Sequence, residues 1–140
     1  MSKSSIIKIK IIGVGGGGGN AVNRMSKNLP EGNSLLAINT DIQALESIKD
    51  IQTFAIGPNI TRGMGTGGNP EIGKNSIKES YDQIEELIVG NDMVFITAGM
   101  GGGTGTGASH IIARAAKELN ILTVGVITLP FSYEGPKRMR

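Results

Sequence analysis

The sequence contains no cysteine among its 140 residues. A chain without cysteine has no disulfide framework, no thiol nucleophile and no cysteine-ligated metal site, so these three classes of protein are excluded. The composition is compatible with a cytosolic protein. Histidine is nearly absent too, because His110 is the single one, and we interpret it as a surface or packing residue in preference to a catalytic one.

Strong charge and long hydrophobic runs are also lacking. The formal net charge is +2, which is too small to indicate binding to nucleic acid or to a membrane surface. The apolar run at 6–12 follows a short polar N-terminus at 1–5 and is interrupted by Lys8 and Lys10. It is too short for a signal-peptide core or a membrane span. We therefore expect no nucleic-acid partner and no direct membrane insertion.

Glycine, by contrast, is abundant at 22 of 140 residues, about twice its usual share. The excess lies in three loops, and the densest, at 99–107, separates an apolar run at 93–98 from a segment with helical periodicity at 108–119. A flexible linker is the alternative, but such linkers join domains. A glycine turn between a strand and a helix exposes backbone N–H groups and lets a phosphate approach closely.

Strand-like and helix-like segments alternate along the chain. We predict strands at 6–12, 34–39, 51–56, 93–98 and 121–129, and helices at 21–28, 40–49 with a capping box starting at Thr40, 70–89 and 108–119. This alternation predicts an α/β fold, a Rossmann-like parallel sheet with helices on both faces. Ligands of such sheets bind at the carboxyl ends of the strands, and every glycine loop here follows a strand.

The run that begins at Gly13 satisfies the dinucleotide fingerprint G-x-G-x-x-G after a strand. Asp41 lies near the end of the second predicted strand, where a ribose-binding acid is expected. An NAD-binding domain of a dehydrogenase is therefore an alternative, although such a domain needs one glycine turn and this chain has three. A Walker loop is absent, because the Gly73–Lys74 pair is followed by Asn75, so a Ras-type or kinase-type mechanism has no support.

The loop Gly-Gly-Gly-Thr-Gly-Thr-Gly at 101–107 resembles the signature loop of the tubulin/FtsZ family of GTPases, in the form of its bacterial cell-division branch. Further segments resemble that family's other nucleotide loops in the same order, at 13–21, 39–41, 65–71 and 131–139. The similarity covers almost the whole chain. Ser109 and His110 depart from the resemblance, because family members more often have small apolar or proline residues there, but this departure does not touch the phosphate contacts.

The resemblance implies a protein that binds and hydrolyses GTP with Mg²⁺ and polymerises head to tail into protofilaments of the division ring, in the cytoplasm at mid-cell. Its partners would be further copies of itself and other division proteins, including membrane-tethering adaptors. The implied nucleotide-binding domain spans 6–140 and is incomplete beyond Arg140. The catalytic acids would come from a later loop of the adjacent subunit, so none lies in this chain, and we expect these 140 residues alone neither to hydrolyse GTP nor to polymerise.

Site roles follow from the resemblance by position. The candidate GTP-binding residues are Gly16, Gly17, Gly18, Gly19, Asn20, Gly103, Thr104, Gly105, Glu134 and Arg138. The first five resemble the loop at the α- and β-phosphates and the guanine side. The next three resemble the diphosphate clamp, shaped by Gly101, Gly102 and Thr106, and the last two the pair at the ribose. Asp41 and the loop at 65–68 would face the γ-phosphate and Mg²⁺, which makes Asp41 the candidate metal ligand.

Each charged residue in this set also has a structural interpretation. Glu134 and Asp41 suit helix N-termini, where an acid is favourable in any protein, and Arg138 suits a solvated surface. A non-hydrolysing nucleotide-binding regulator stays open beside the polymer and the dehydrogenase domain. Binding of guanine nucleotide against NAD separates the polymer from the dehydrogenase domain, and GTP turnover of the full-length protein separates the polymer from the regulator.

Overall fold

The computed structural model describes residues 6–56, 75, 80–99 and 103–128. In these ranges the elements are β1 (Ile9–Val14), α1 (Gly15–Arg24), β2 (Asn33–Asn39), α2 (Ile42–Glu46), β3 (Gln52–Ala55), α3 (Tyr81–Ile88), β4 (Met93–Gly99), α4 (Gly103–Glu118) and β5 (Leu122–Thr128). A 3-10 turn, Ser26–Asn28, follows α1. The loop predicted at 57–69, the start of the helix predicted at 70 and the segment after Thr128 lie outside the described residues.

The five strands form one parallel sheet in the order β3-β2-β1-β4-β5, which confirms the predicted fold class. The register pairs Val14 of β1 with Ile38 of β2 and with Ala98 of β4, so the central strands end at one level. The chain first builds outward through β2 and β3 and then crosses to the other side of β1. The gap between β1 and β4 is therefore the switch point at which ligands of such sheets bind.

Helices cover both faces of the sheet, as predicted. On one face Ile88 of α3 and Ile112 of α4 join the even-numbered positions of β1 and β2 in the main core. On the other face Val22 of α1 and Leu45 of α2 contact odd-numbered positions of β2. Successive residues of a strand point to opposite faces, so β1 and β2 contribute to both cores. Helices α1 and α4 thus lie on opposite sides of the sheet.

The apolar stripe predicted for the fourth helix is confirmed in α4. Its positions Ala108, Ile111, Ile112, Ala115 and Ala116 are all buried, and removing that apolar surface from water is the main source of the helix's stability. At 16 residues α4 is the longest of the described helices. No helix in the described ranges is long and apolar enough to cross a membrane.

Two helices begin earlier than predicted. α1 starts at Gly15 and ends at Arg24, in place of the predicted 21–28, and α4 starts at Gly103 in place of 108. Glycine disfavours a helix by about 1 kcal/mol per residue relative to alanine, so the sequence pattern placed both starts too late. In α1, contacts with β1, β2 and β4 overcome this weak propensity.

The helices predicted to end at residues 89 and 119 end at Ile88 and Glu118, and Gly90 and Asn120 follow in the turns after them. Both residues have left-handed backbone angles, with φ of 88° and 59°, which glycine adopts freely and asparagine tolerates. After α4, the N–H of Ile121 donates to the carbonyl of Ala116 at 2.9 Å. This bond satisfies a carbonyl at the end of the helix and directs the chain into β5.

Candidate functional site

Two helices begin side by side at the carboxyl edge of the sheet. α1 starts directly after Val14, the last residue of β1, and α4 starts at Gly103, shortly after the end of β4. Because Val14 pairs with Ala98 of β4, both helix N-termini lie at the switch point. The unpaired N–H groups and the partial positive charge of a helix N-terminus attract anions, so this edge suits a ligand with several phosphates.

No acidic side chain occupies the first turn of α1 or of α4. Val14, the N-cap of α1, makes no side-chain hydrogen bond to the helix. An acid or a capping side chain in these positions would occupy the free N–H groups and offset the positive end of the helix dipole. The start of α1 therefore keeps its backbone donors available to an anionic ligand, and the first turn of α4 carries no acid that would offset the positive end of its dipole.

The glycine run of α1 divides into an outer and an inner part. Gly15 has a φ of 79°, a conformation that glycine adopts readily and that takes the chain straight from β1 into the helix. Gly16 and Gly17 are exposed, whereas Gly18 and Gly19 are buried. By helix geometry the first three helical residues have N–H groups without an intrahelical partner, so the free donors belong to the outer part. A Cβ added to Gly16 would meet nothing within 4 Å.

The inner glycines face protein groups at close range. A Cβ on Gly18 would lie 2.4 Å from the carbonyl oxygen of Thr97, and one on Gly13 would lie 2.1 Å from the carbonyl oxygen of Gly18. A Cβ on Gly19 would lie 3.2 Å from Cδ1 of Ile48. Sequence reasoning missed this packing role of Gly13, for which the available signal was the fingerprint spacing between Gly13 and Gly18, whose last glycine serves helix–strand packing.

Eight of the ten predicted GTP-binding residues belong to the N-terminal turns of α1 and α4. Asn20 is exposed in the second turn of α1, and the backbone of Gly103, Thr104 and Gly105 forms the first turn of α4. His110, further along α4, is exposed, which agrees with its interpretation as a surface residue. Outside the described residues lie Gly101, Gly102, the loop at 65–68, Glu134 and Arg138.

Asp41 follows β2 at the same edge and caps α2. Its Oδ1 accepts hydrogen bonds from the N–H groups of Gln43 at 3.0 Å and Ala44 at 3.3 Å, and its own N–H donates to Oδ1 of Asn39 at 3.1 Å. The N-cap of α2 is thus Asp41. The predicted capping box placed the N-cap at Thr40, and that prediction is wrong. Within the described ranges no three His, Cys, Asp or Glu side chains come together as a metal site, and a role of Asp41 toward Mg²⁺ stays a prediction.

Comparisons with known proteins agree on one family. Residues 8–140 match the Tubulin/FtsZ family, GTPase domain. The cell division protein FtsZ of Pseudomonas aeruginosa is 57% identical over 132 residues, which cover 94% of this chain and 34% of that protein. An empty FtsZ dimer of M. jannaschii superposes with a TM-score of 0.89 at 46% identity, covering 97% of this chain and 40% of that one.

A more distant structure, the GTPgS-bound protofilament of CetZ2 from Haloferax volcanii, superposes with a TM-score of 0.76 at 25% identity over 92% of this chain and 42% of that one. The chain spans 34% to 36% of the length of the curated relatives it matches. The family match at residues 8–140 extends across the whole sheet and both helix starts described above.

Proposed function

Because this chain belongs to the tubulin/FtsZ family of GTPase domains, we propose that it binds guanine nucleotide at the carboxyl edge of its sheet. In its natural full length the protein hydrolyses GTP within a polymer that serves cell division. The observation that carries the proposal is the meeting of two glycine-rich, acid-free helix N-termini at the switch point between β1 and β4. Such an edge binds phosphates from two sides.

Phosphoryl transfer depends mainly on positioning and on neutralising charge. In this proposal the free N–H groups of Gly16 and Gly17 donate to phosphate oxygens from one side of the sheet, and the first turn of α4 at Gly103 does so from the other. Donors fixed on two packed helices need no rearrangement when charge develops on the phosphates. We assign Asn20 to the guanine side, with Glu134 and Arg138 at the ribose.

Mg²⁺ accompanies the nucleotide in this proposal. Mg²⁺ prefers oxygen ligands, keeps several waters and is commonly held by one or two carboxylates together with substrate phosphates. Among the described acidic residues, Asp41 is the one that follows the carboxyl end of a strand. Its Oδ1 is engaged in capping α2, so we assign Oδ2 to the ion or to one of its waters. The bound ion would offset phosphate charge during hydrolysis.

Hydrolysis also needs a group that positions the attacking water. In this proposal Asp41 already caps α2 and serves Mg²⁺. We therefore propose that the acid that positions the attacking water comes from the adjacent copy in a head-to-tail protofilament. The solved protofilament of CetZ2 supports self-association as a property of this family. We further propose a cytoplasmic location at the mid-cell division ring, with other division proteins as partners, membrane-tethering adaptors among them.

A dehydrogenase domain is not favoured as the alternative. The matched family is a GTPase family and the curated relatives are cell division proteins. The G-x-G-x-x-G run that raised this alternative begins at Gly13 and ends at Gly18, two glycines that contact each other between β1 and α1. Their spacing therefore has a packing explanation that does not require a dinucleotide.

Isothermal titration of the full-length protein with GDP, GTP and NAD⁺, each with and without Mg²⁺, tests the binding site. We expect saturable binding of GDP and GTP at one site per chain, and no binding of NAD⁺. Gly125→Ala serves as a control, because a Cβ there meets nothing within 4 Å and Gly125 lies in β5, away from the switch point. Binding of NAD⁺ in preference to GDP would overturn the proposal.

Phosphate release from GTP across a series of protein concentrations tests the assembled mechanism. We expect turnover per molecule of the full-length protein to rise with concentration, because each site is completed by a neighbour. The 140 residues alone should give no turnover above background. Turnover by these 140 residues that is first order in protein would mean that the catalytic set is complete within one chain.

A further inference from the structure

Gly13 lies inside β1, one residue before the strand ends, and is buried. A Cβ at this position would lie 2.1 Å from the carbonyl oxygen of Gly18 and 2.9 Å from Cγ2 of Val22. Both of these residues belong to α1. The backbone of the helix at Gly18 therefore packs directly on the backbone of the strand at Gly13, with the Val22 side chain beside the contact.

Gly18 makes the reciprocal contact and extends it to β4. A Cβ on Gly18 would lie 2.4 Å from the carbonyl oxygen of Thr97 and 3.0 Å from the carbonyl carbon of Gly13. Neither glycine has a positive φ, and both strands and helices disfavour glycine relative to other residues. The close approach of three backbone segments, and not backbone conformation, therefore requires glycine at both positions.

We propose that Gly13 and Gly18 are positioning residues for the nucleotide site. Together with the Thr97 carbonyl they fix how deeply α1 lies between β1 and β4, and so they place the N–H groups of Gly16 and Gly17 at the switch point. This inference rests on the proposed function, because it takes those N–H groups as phosphate donors. Since backbone meets backbone, no change of rotamer can absorb an added Cβ, and α1 must move as a body.

The size of that movement follows from the distances. Ordinary contacts of a Cβ begin at 3.4 Å, so alanine at Gly13 or Gly18 displaces the start of α1 by about 1 Å or more. Hydrogen bonds of N–H groups to oxygen weaken when the donor–acceptor distance leaves the range of about 2.7–3.2 Å. Both substitutions should therefore weaken nucleotide binding without touching the nucleotide through a new side chain at the edge.

Isothermal titration of GDP into the full-length protein tests this. The variants are Gly13→Ala and Gly18→Ala, and the control is Gly125→Ala, whose Cβ meets nothing within 4 Å. We expect Kd to rise about tenfold or more in both variants, the loss expected for weakened hydrogen bonds to a charged group, while the number of sites per folded chain stays near that of the wild type. The control should bind as the wild type does.

A purely structural role predicts a different result. If the glycines only stabilise the fold, the fraction of binding-competent molecules falls and the Kd of the folded ones is unchanged. That result, or an unchanged Kd in folded Gly18→Ala, overturns the inference. If both glycine variants fail to fold, Val22→Ile enlarges the same contact between α1 and β1 by one methyl, and an unchanged Kd there overturns it as well. Failure of wild type and control alike to bind GDP would instead overturn the proposed function.

Discussion

The hydroxyl of Tyr81 in α3 donates a 2.5 Å hydrogen bond to Oε1 of Glu118, the last residue of α4. This bond links the two helices that cover one face of the sheet. The hydrogen bond to Glu118 is the largest of the causes that raise the pKa of Tyr81 to about 12, followed by burial and by the charges of Glu118 and Glu85. The phenol is therefore a proton donor throughout the physiological pH range.

Replacing Tyr81 by phenylalanine should lower the free energy of unfolding by no more than about 1 kcal/mol at pH 7, because the bond lies at the surface. The folded-state pKa is raised, so this contribution is fully present below the unfolded pKa of about 10 and is lost as the pH rises through about 12. Urea unfolding of wild type and Tyr81→Phe at pH 7 and pH 12 measures it. A difference that persists or grows at pH 12 would contradict this account.

The parallel sheet and the apolar stripe of α4 could be predicted because they follow from local patterns. The stripe from Ala108 to Ala116 has a period that one buried helix face explains. The starts of α1 at Gly15 and α4 at Gly103 could not be predicted in this way. Glycine carries no helical preference of its own, and the helical state of the run in α1 depends on its contacts with the sheet.

The location of the candidate site was also predictable, since glycine loops after parallel strands point to the carboxyl edge. Which glycines of the run at 15–19 are exposed at the edge and which pack against the protein could not be predicted. Whether Gly18 faces a ligand or the protein depends on the Thr97 carbonyl in β4, far away in sequence. The capping role of Asp41 likewise depends on where α2 begins, and a shift of one residue from Thr40 changed which side chain binds the helix N-terminus.

Lys10 in β1 gives a second prediction that depends on pH. Burial lowers its pKa from the ordinary value of 10.5, while Lys8, two residues earlier, is exposed. Burial disfavours the charged ammonium in the folded state, so below the folded-state pKa it lowers the free energy of unfolding by its full amount. This loss of stability disappears as the pH rises past 10.5, because the lysine is then neutral in the unfolded chain as well. Lys10→Met should therefore raise the urea midpoint at pH 7, with a gain that shrinks above the ordinary pKa.

The matched control for this prediction is Lys8→Met. It removes the same charge from the exposed residue just before β1 without relieving any burial, so the midpoint should stay near that of the wild type. An equal gain from both substitutions would assign the effect to net charge. No gain from Lys10→Met at pH 7 would show that the ammonium group keeps its hydration in the folded protein.

The contact between Gly19 and Ile48 offers a test of packing in α1. A Cβ at Gly19 lies 3.2 Å from Cδ1 of Ile48, a tight contact with the flexible end of a side chain. We expect Gly19→Ala to change the free energy of unfolding by less than about 1 kcal/mol, because the helical preference for alanine offsets the crowding. In an Ile48→Val background, which removes Cδ1, the same substitution should be stabilising.

A double-mutant cycle of unfolding free energies measures this coupling. Nucleotide titration of the same four proteins then separates packing from binding at Gly19. If the double variant regains stability but still binds GDP weakly, the new methyl group interferes with the nucleotide itself. Additive effects on stability, with no coupling between the two positions, would contradict the contact.

Asp41 is expected to stabilise α2 as its N-cap. Asp41→Ala removes the oxygen that accepts from Gln43 and Ala44 and should lower the free energy of unfolding by about 1 kcal/mol. Asp41→Asn keeps an acceptor at the same position, and asparagine caps helices about as well as aspartate, so its effect should stay within about 0.5 kcal/mol. Equal destabilisation by the two substitutions would mean that the charge, and not the cap, is what α2 requires.

The same pair of variants tests whether Asp41 serves Mg²⁺. A cap needs a side-chain oxygen, whereas a hard divalent cation needs the carboxylate charge. Titrating GTP into the full-length protein with and without Mg²⁺ gives the gain in affinity that the ion provides. We expect this gain to fall in Asp41→Asn as much as in Asp41→Ala, although only the alanine variant loses stability. Wild-type Mg²⁺ dependence in Asp41→Asn would confine Asp41 to its role at the start of α2 and would remove it from the metal side of the site.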